Sequence, residues 1–295
     1  MPEIEPYSLL FPGLGSQLRL WSPSPPLRGI AQPAASLVTA SLGWDPFLYA
    51  LGSAPRGWER DAAAMAQLFV DCIEGWAALP AGLAPPVAIA AYSAGLFPAL
   101  VASEAASLEE GVALMVASLR GVKELASGGD LLGVVGLGKG EVEGFLNEGV
   151  YLSHDNGPGH LIVGGQDEAL DLLAAQLEGA GAFSLRRVHL ASPYHTPWLG
   201  GAGELARAYL PEAMALGRLT PRVPLLTGVG DRGEWKARAL GVPRVLAQLE
   251  GAIYWPGVTA SLTELGVSQL LAVGPGEGLL RWTARLMPGA RRMSI

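Results

Sequence analysis

Short apolar runs alternate with longer stretches of helical periodicity along the first 125 residues. Tyr7–Phe11 and Val87–Ala91 are apolar runs with the length of a buried strand. Ala62–Leu79, Leu96–Ser103 and Leu108–Leu125 carry apolar residues at helical spacing. Because buried strands and helices alternate, the pattern predicts an α/β fold with a parallel sheet.

The pattern changes between residues 126 and 190. There it predicts strand, helix, strand, strand, helix, strand, in the order Leu131–Leu137, Glu141–Glu148, Tyr151–His154, Leu161–Val163, Gln166–Gly179 and Ala182–Leu190. This β-α-β-β-α-β order is typical of a ferredoxin-like unit. We therefore expect a small ferredoxin-like α+β subdomain at 126–190, inserted into a larger α/β body formed by 1–125 and 191–295. Leu225–Thr227 and Gln269–Val273 predict further strands of that body.

Composition narrows the class of protein. Half of the 295 residues are hydrophobic and 16% are charged, which predicts a substantial core. The net charge of −7, without a long charge run, argues against a nucleic-acid partner. The single cysteine, Cys72, fits a reducing cytoplasm, and the histidines show no metal-ligand spacing. We expect a cytoplasmic protein with no metal, no signal peptide and no membrane span.

A candidate nucleophile lies where the strand Val87–Ala91 meets the following helix. The stretch "AYSAG" (Ala91–Gly95) resembles a nucleophile elbow, in which a tight turn exposes a serine hydroxyl. The helix N-terminus then supplies N–H groups for a developing oxyanion. Ser93 is therefore a candidate nucleophile, and an ordinary serine in a tight buried turn is the alternative.

A serine nucleophile needs a general base, which is usually histidine. Of the four histidines, His189 falls in a predicted strand, which favours a structural role, and His154 and His160 flank the turn "DNGPG". His195 lies in the irregular stretch "SPYHTP", just after the predicted subdomain. A loop in that place can arch over a cleft of the larger body. We therefore predict His195 as the base.

Five stretches in this order carry a family resemblance. They are "FPGLGSQ" (Phe11–Gln17), "AYSAG", "DNGPGHLIVGG" (Asp155–Gly165), "SPYHTP" (Ser192–Pro197) and "VGPGEGLL" (Val273–Leu280). Together they resemble the malonyl-CoA:acyl-carrier-protein transacylase family, which includes the acyltransferase domains of fatty-acid and polyketide synthases. The resemblance covers nearly the whole chain. It implies an α/β-hydrolase-like body with a ferredoxin-like insertion.

The resemblance also implies a mechanism. Ser93 would attack the thioester of an acyl-CoA while His195 takes its proton, and the pantetheine thiol of an acyl carrier protein would then take the acyl group. The histidine would be oriented by backbone carbonyls instead of a carboxylate. The N–H groups of Leu14 and Ala94 would form the oxyanion hole. Coenzyme A thioester would be the substrate, and no further cofactor is expected.

The implied substrate-binding residues are Gln17, Tyr92, Ser118, Arg120, Asn156 and His160. Several depart from the family pattern. Tyr92 replaces the usual histidine before the nucleophile, and His160 replaces a glutamine. Ser118 stands where malonyl-specific members carry a carboxylate-binding arginine, and Arg120 follows two residues later. Two residues are about 200° of helical rotation, so Arg120 is expected to face away.

Three classes of function remain open at this point. The leading hypothesis is an acyltransferase that moves malonyl, or another short acyl group, from coenzyme A to an acyl carrier protein. The transferase subunit of a malonate decarboxylase is a close variant. The second class is a hydrolase that releases acyl groups from carrier-protein thioesters. The third is a non-catalytic relative that binds a carrier protein.

Overall fold

The structure, a computed structural model, describes residues 5–14, 29–47, 57–125, 128–229 and 240–293. Strands β1 to β12 of this part are, in order, Tyr7–Phe11, Ala88–Ala91, Asp130–Val135, Val150–Asp155, His160–Gly165, Ser184–Arg187, Arg218–Leu219, Leu225–Leu226, Leu240–Gly241, Ile253–Tyr254, Gln269–Ala272 and Arg291–Arg292. Helices α1 to α11 are Ala31–Leu42, Trp58–Ala77, Leu96–Ala102, Leu108–Leu125, Lys139–Glu143, Asp167–Gly179, Ala202–Arg207, Glu212–Ala215, Val242–Leu246, Trp255–Glu264 and Gly278–Leu286.

The larger sheet has the order β12-β11-β1-β2-β8, and all of its neighbouring strands are parallel. β1 and β2 are buried along their whole length, which explains why their sequences are unbroken apolar runs. Phe11 pairs with Ala91, so the carboxyl ends of β1 and β2 lie side by side. The turns that follow these two strands are thereby brought together, and both belong to the site described below.

The helices α2, α3 and α4 bury apolar residues in the same core as β1 and β2. In α2, Met65, Phe69 and Ile73 follow one another at helical spacing and are almost completely buried. Such burial contributes about 2 kcal/mol per large side chain and anchors the site residues to a rigid body. No helix in the described part of the chain is long and apolar enough to cross a membrane.

The smaller sheet has the order β10-β4-β5-β3-β6. β3, β4, β5 and β6 pair antiparallel, and with α5 and α6 they form the predicted ferredoxin-like unit, which has its own hydrophobic core. β10 joins this sheet parallel to β4, with Ile253 opposite His154. The predicted fold class is confirmed. The residue ranges of the two units, 126–190 and the rest, stay a prediction.

Several predicted element boundaries were wrong, among them those of α2, which was expected at Ala62–Leu79 and spans Trp58–Ala77. The helix expected at Glu141–Glu148 is α5, which begins at Lys139 because the Glu141 carboxylate accepts the N–H of Gly138 at 2.7 Å, as in a capping box. The strand expected at Ala182–Leu190 ends at Arg187. Periodicity also did not predict α1, in which Pro33 sits in the first turn, where a missing N–H is tolerated.

Candidate active site

Ser93 lies on a sharp turn between β2 and α3. It opens a single 3-10 turn, Ser93–Gly95, with φ of +54°, a left-handed conformation that costs energy for a residue with a Cβ. A Cβ on Gly95 would lie 2.5 Å from the carbonyl oxygens of Phe11 and Pro12, so only glycine fits there. The turn is thus pressed against the end of β1, and it has the geometry expected of a nucleophile elbow.

His195 faces the serine across the cleft. Its Nε2 lies 2.7 Å from Ser93 Oγ, and its Nδ1 lies 2.8 Å from the carbonyl oxygen of Gln248. Because a carbonyl only accepts, Nδ1 carries the proton and Nε2 is left as the acceptor. The Ser93 hydroxyl therefore donates to Nε2, which is the arrangement a general base requires. The predicted pair is present, and a backbone carbonyl orients the imidazole.

Burial keeps this histidine neutral. His195 is 2% exposed, and burial lowers its pKa to about 4, although carbonyls of Gln248 and Gly251 oppose the shift. The backbone N–H of His195 donates to the carbonyl oxygen of Leu249 at 2.8 Å. The φ angle of His195 is +60°. At neutral pH the imidazole is consequently unprotonated and able to accept a proton from Ser93.

A small apolar chamber opens beside the pair. Its volume is about 40 Å³, room for about three water molecules. Its apolar lining comes from two strands of the smaller sheet, from helices and from the loops around them: Leu14, Met65, Ala94, Phe97, Leu131, Ile162, Val188, Leu190 and Leu249. No lysine or arginine is among the described residues that line it. The chamber therefore suits a short acyl chain next to Ser93.

Two of the predicted substrate-binding residues lie together beneath the turn. Tyr92 lines the chamber, and its hydroxyl donates to Asn156 Oδ1 at 2.7 Å. Asn156 is 3% exposed, and its Nδ2 has no hydrogen-bond partner in the described part of the structure. A buried free donor of this kind is costly unless a ligand or water satisfies it.

Two wider cavities continue from the chamber towards the surface. The first, about 290 Å³, shares Leu14 and Tyr92 with the chamber and is bordered by Trp282 of α11. The second, about 420 Å³, lies on the other side of Trp282 and is lined by Asn156 and His160 together with Arg285. The His160 ring meets Trp282 edge-on at 4.2 Å. The first cavity thus borders the chamber beside Ser93, and the second, which His160 lines, borders the first at Trp282.

The remaining predicted site residues are placed differently. Ser118 is buried in α4 but does not line the chamber, and its Oγ has no partner among the described residues. Arg120 points away, as its helical position predicts: its guanidinium donates to Ser41 O at 2.9 Å and lies over the Tyr209 ring. Neither brings a cation to the chamber. Gln17 lies outside the described residues.

His154 belongs to the site although no sequence pattern favoured it over the other histidines. It lines the chamber, stacks on Tyr92 at 5.2 Å and meets the His195 ring edge-on at 4.9 Å. Ser153 Oγ donates to the Tyr194 carbonyl, so it accepts from His154 Nδ1. Burial lowers the pKa of His154 well below its usual value, so both imidazoles are neutral.

His189 was wrongly predicted to lie in a strand. It follows the end of β6, is exposed, and has φ of +64°. The Asp130 carboxylate accepts the N–H groups of His189 and Leu190 and so draws the chain out of the sheet. Across the described residues, no three His, Cys, Asp or Glu side chains are grouped so that they could hold a metal ion.

The strained serine turn, the imidazole oriented by a carbonyl and the adjoining chamber give this α/β protein the arrangement of groups that acyl-serine chemistry requires. No family model matches the chain. Curated relatives include the malonyl CoA-acyl carrier protein transacylases of Salmonella typhimurium and Escherichia coli K12. Each is 24% identical and aligns over 95% of this chain and 93% of its own length.

Solved structures agree with this. A malonyl-CoA:acyl carrier protein transacylase from Xanthomonas oryzae matches with a TM-score of 0.81 and 22% identity, over 98% of this chain and 94% of its own. A malonyl-transacylase solved with a type II polyketide synthase acyl-carrier protein matches with a TM-score of 0.79 and 19% identity, over 99% and 96%. The chain is therefore similar to malonyl-CoA:acyl-carrier-protein transacylases over nearly its whole length, and the predicted resemblance is confirmed.

Proposed function

We propose that the protein is an S-acyltransferase that moves malonyl, or another short acyl group, from coenzyme A to the phosphopantetheine thiol of an acyl carrier protein. The observation that carries this proposal is the 2.7 Å hydrogen bond between Ser93 Oγ and His195 Nε2. Ser93 lies on a strained turn, and the small apolar chamber opens beside it. The relatives named above act on malonyl-CoA and acyl carrier protein by their names. No cofactor beyond the coenzyme A substrate takes part in the proposed reaction.

In the first half-reaction Ser93 Oγ attacks the thioester carbonyl and its proton passes to His195 Nε2. The carbonyl oxygen becomes an oxyanion, which we assign to the N–H groups of Leu14 and Ala94, since both residues line the chamber beside Ser93. One such donor contributes about 10²- to 10³-fold to the rate. The tetrahedral intermediate collapses, coenzyme A leaves as a thiol with the proton from His195, and acyl-Ser93 remains.

In the second half-reaction we assign the entry route of the carrier protein's thiol to the two cavities beside the chamber. The thiol proton passes to His195, the sulfur attacks the acyl-serine carbonyl, and Ser93 leaves as the free hydroxyl. The free Nδ2 of Asn156 and the ring of His160 lie along the route, where they can bind the amides of a pantetheine arm. Arg285, exposed at the outer cavity, is placed to meet a phosphate at the end of that arm.

The chamber lining bears on which acyl group is transferred. A malonyl carboxylate beside Ser93 would need a cation, because an unpaired charge in an apolar site is costly. The described lining supplies none, the imidazoles of His154 and His195 are neutral, and Arg120 is bound to Ser41. These contacts favour a neutral short acyl group, such as acetyl, as the second candidate beside malonyl.

The test is acyl loading followed by intact mass. We expect incubation with acetyl-CoA or malonyl-CoA to add one acyl group to the unaltered protein, and none to Ser93→Ala. The His195→Asn variant should load at least 10³-fold more slowly, because general base catalysis is lost. Separate rates for the two thioesters rank the two acyl candidates. A preference for malonyl of more than about tenfold would reject the neutral acyl group.

Addition of a phosphopantetheinylated carrier protein separates the remaining functions. Transfer predicts that the acyl mass moves to the carrier while Ser93 returns to the free form. Rapid loss of the acyl group without carrier would identify a hydrolase instead. No adduct on Ser93 with either thioester would reject both catalytic functions and favour a binding protein. Arg285→Ala should raise the KM for coenzyme A substrates several-fold and leave kcat unchanged.

A further inference from the structure

The polypeptide between β6 and His195 is irregular, and we call residues 188–195 the histidine segment. Irregular backbone still needs partners for its buried N–H groups. Two buried carboxylates supply them. Asp130 accepts from the N–H groups of His189 and Leu190, at 3.1 and 2.8 Å, and Asp61 Oδ2 accepts from the N–H of Ala191 at 2.8 Å. The segment is thus held by acids from β3 and α2.

Asp61 makes a second contact closer to the histidine. Its Oδ2 also accepts from the hydroxyl of Tyr194, at 3.2 Å, and Tyr194 is the residue directly before His195. The Tyr194 carbonyl accepts in turn from Ser153 Oγ at 2.7 Å. Tyr194 is therefore held at its ring by Asp61 and at its backbone by Ser153, and both of these partners are completely buried.

The segment needs such support because its backbone is strained. Residues 189 and 195 are histidines with φ near +60°, a conformation that persists only when the surroundings enforce it. The 2.7 Å contact between His195 and Ser93 depends on this conformation. A small relaxation of the segment would lengthen that contact, and misplacement by about 1 Å can cost 10²-fold in rate.

Burying the Asp61 carboxyl costs free energy that packing alone would not require. This carboxyl is fully buried and its Oδ1 has no hydrogen-bond partner in the described part of the structure. Burial outweighs its two hydrogen bonds and the charge of Arg60, and it raises the pKa of Asp61 to about 6. A buried carboxylate with an unpartnered oxygen calls for an explanation beyond packing, and a functional role is one.

We propose that Asp61 is a positioning residue for the reaction: its carboxylate fixes the histidine segment through Ala191 and Tyr194, and so keeps His195 Nε2 within hydrogen-bond distance of Ser93 Oγ. The proposal rests on the roles of Ser93 and His195 proposed above. It requires an acceptor at position 61 and not the charge itself. Asparagine can supply that acceptor, whereas leucine cannot.

The experiment measures the reactivity of Ser93 towards a small fluorophosphonate, which reports on activation of the serine whatever the acyl donor is. Asp61→Leu should react 10- to 100-fold more slowly than the unaltered protein, and Asp61→Asn should stay within about threefold of it. Glu59→Leu is the matched control, since it removes an exposed acid from the same first turn of α2 and should change nothing. Acyl transfer by Asp61→Leu should show the loss in kcat, with KM for the acyl-CoA within twofold.

If Asp61→Leu does not fold, the same measurement is made on Tyr194→Phe and Ser153→Ala. Each removes one support of Tyr194 and should slow the fluorophosphonate reaction about three- to tenfold. Folded Asp61→Leu or Tyr194→Phe at the unaltered rate would overturn the inference, as would Asp61→Asn as slow as Asp61→Leu. An unreactive Ser93 in the unaltered protein would overturn the proposed function as well, and so distinguishes the two failures.

Discussion

Ser93 is held by residues close to it in the chain or at the end of the neighbouring strand, whereas His195 is held by Gln248, 53 positions away, and through Tyr194 by Asp61, 133 positions from that tyrosine. The serine turn needs only β2, α3 and the end of β1, and its tightness comes from Gly95. The histidine depends on Gln248 and Leu249 on one side and on Asp61 through Tyr194 on the other. One half of the pair is set by backbone packing and the other by buried polar contacts.

The difference predicts how each half fails. A close-packed backbone turn does not tolerate a larger side chain, because a single added methyl group meets carbonyl oxygens that cannot move. Polar contacts between distant residues can be weakened one at a time, and each costs a modest factor. Damage to the serine turn should therefore abolish function in one step. Damage around the histidine should be graded and should depend on pH.

The largest effect is expected for Gly95→Ala. Its Cβ would lie 2.5 Å from two backbone carbonyl oxygens, so the turn must move away from β1. We expect a loss of about 3 kcal/mol or more in the free energy of unfolding, and acyl loading slowed at least 10²-fold. Urea unfolding and intact mass measure the two effects.

Gly140→Ala is the matched control for this change. Gly140 lies within α5, and an added Cβ there meets nothing within 4 Å. Alanine should stabilise the helix by about 0.5–1 kcal/mol and leave loading unchanged. If Gly95→Ala were as harmless as Gly140→Ala, the close approach between the serine turn and β1 would not matter for either stability or activity.

The sequence predicted the serine half almost completely. β1 and α4 were predicted with their observed bounds, and "AYSAG" predicted a tight turn at Ser93, with a nucleophile elbow and an ordinary buried turn as the two interpretations. The reason is that each of these features is encoded by neighbouring residues: unbroken apolar runs, helical spacing and small residues around a serine. The helical count placed Arg120 on the opposite face of α4 from Ser118, and its guanidinium donates to Ser41 O and lies over the Tyr209 ring.

The histidine half could be predicted only in outline. The irregular stretch around His195 was a reasonable place for a base, but nothing local to it indicates Gln248 as the partner of Nδ1 or Asp61 as the support of Tyr194. The predicted strand through His189 was wrong for the same reason, because the backbone N–H of His189 donates to the carboxylate of Asp130, 59 residues away. His154 was not chosen because β4 comes to lie beside His195 only in the folded chain.

Acid should weaken the histidine half through His195 itself. Its pKa in the folded protein, about 4, lies below the usual 6.5, so the unfolded chain takes up the proton first as the pH falls. Stability is therefore full above about pH 6.5 and is lost as the pH falls towards 4. Relative to His195→Asn, the unaltered protein should lose roughly 2.5 kcal/mol between pH 7.5 and 4.5.

Urea unfolding of both proteins at the two pH values measures this difference in the free energy of unfolding. The contributions of the other titrating groups are the same in both proteins and cancel when one is subtracted from the other. Loading of Ser93 should meanwhile stay near its maximum from pH 8 to about pH 5.5, because the base is unprotonated throughout. A loading rate that falls with a midpoint near pH 6.5 would show an ordinary, solvated imidazole, and the histidine half would then not depend on burial.

Ionisation of Asp61 should change the stability by a smaller amount than that of His195, and in the opposite direction: stability falls as the pH rises. The pKa of Asp61 rises from 3.8 in the unfolded chain to about 6 in the folded protein, so the folded state holds the proton longer as the pH rises. The unaltered protein therefore loses stability between about pH 4 and 6, and this loss persists above that range. Asp61→Asn cannot ionise, so it should gain roughly 2 kcal/mol over the unaltered protein between pH 4.5 and 7.5. If the difference between the two proteins did not vary with pH, the pKa of Asp61 would be the same in the folded and unfolded states, and burial would not outweigh the hydrogen bonds from Ala191 and Tyr194.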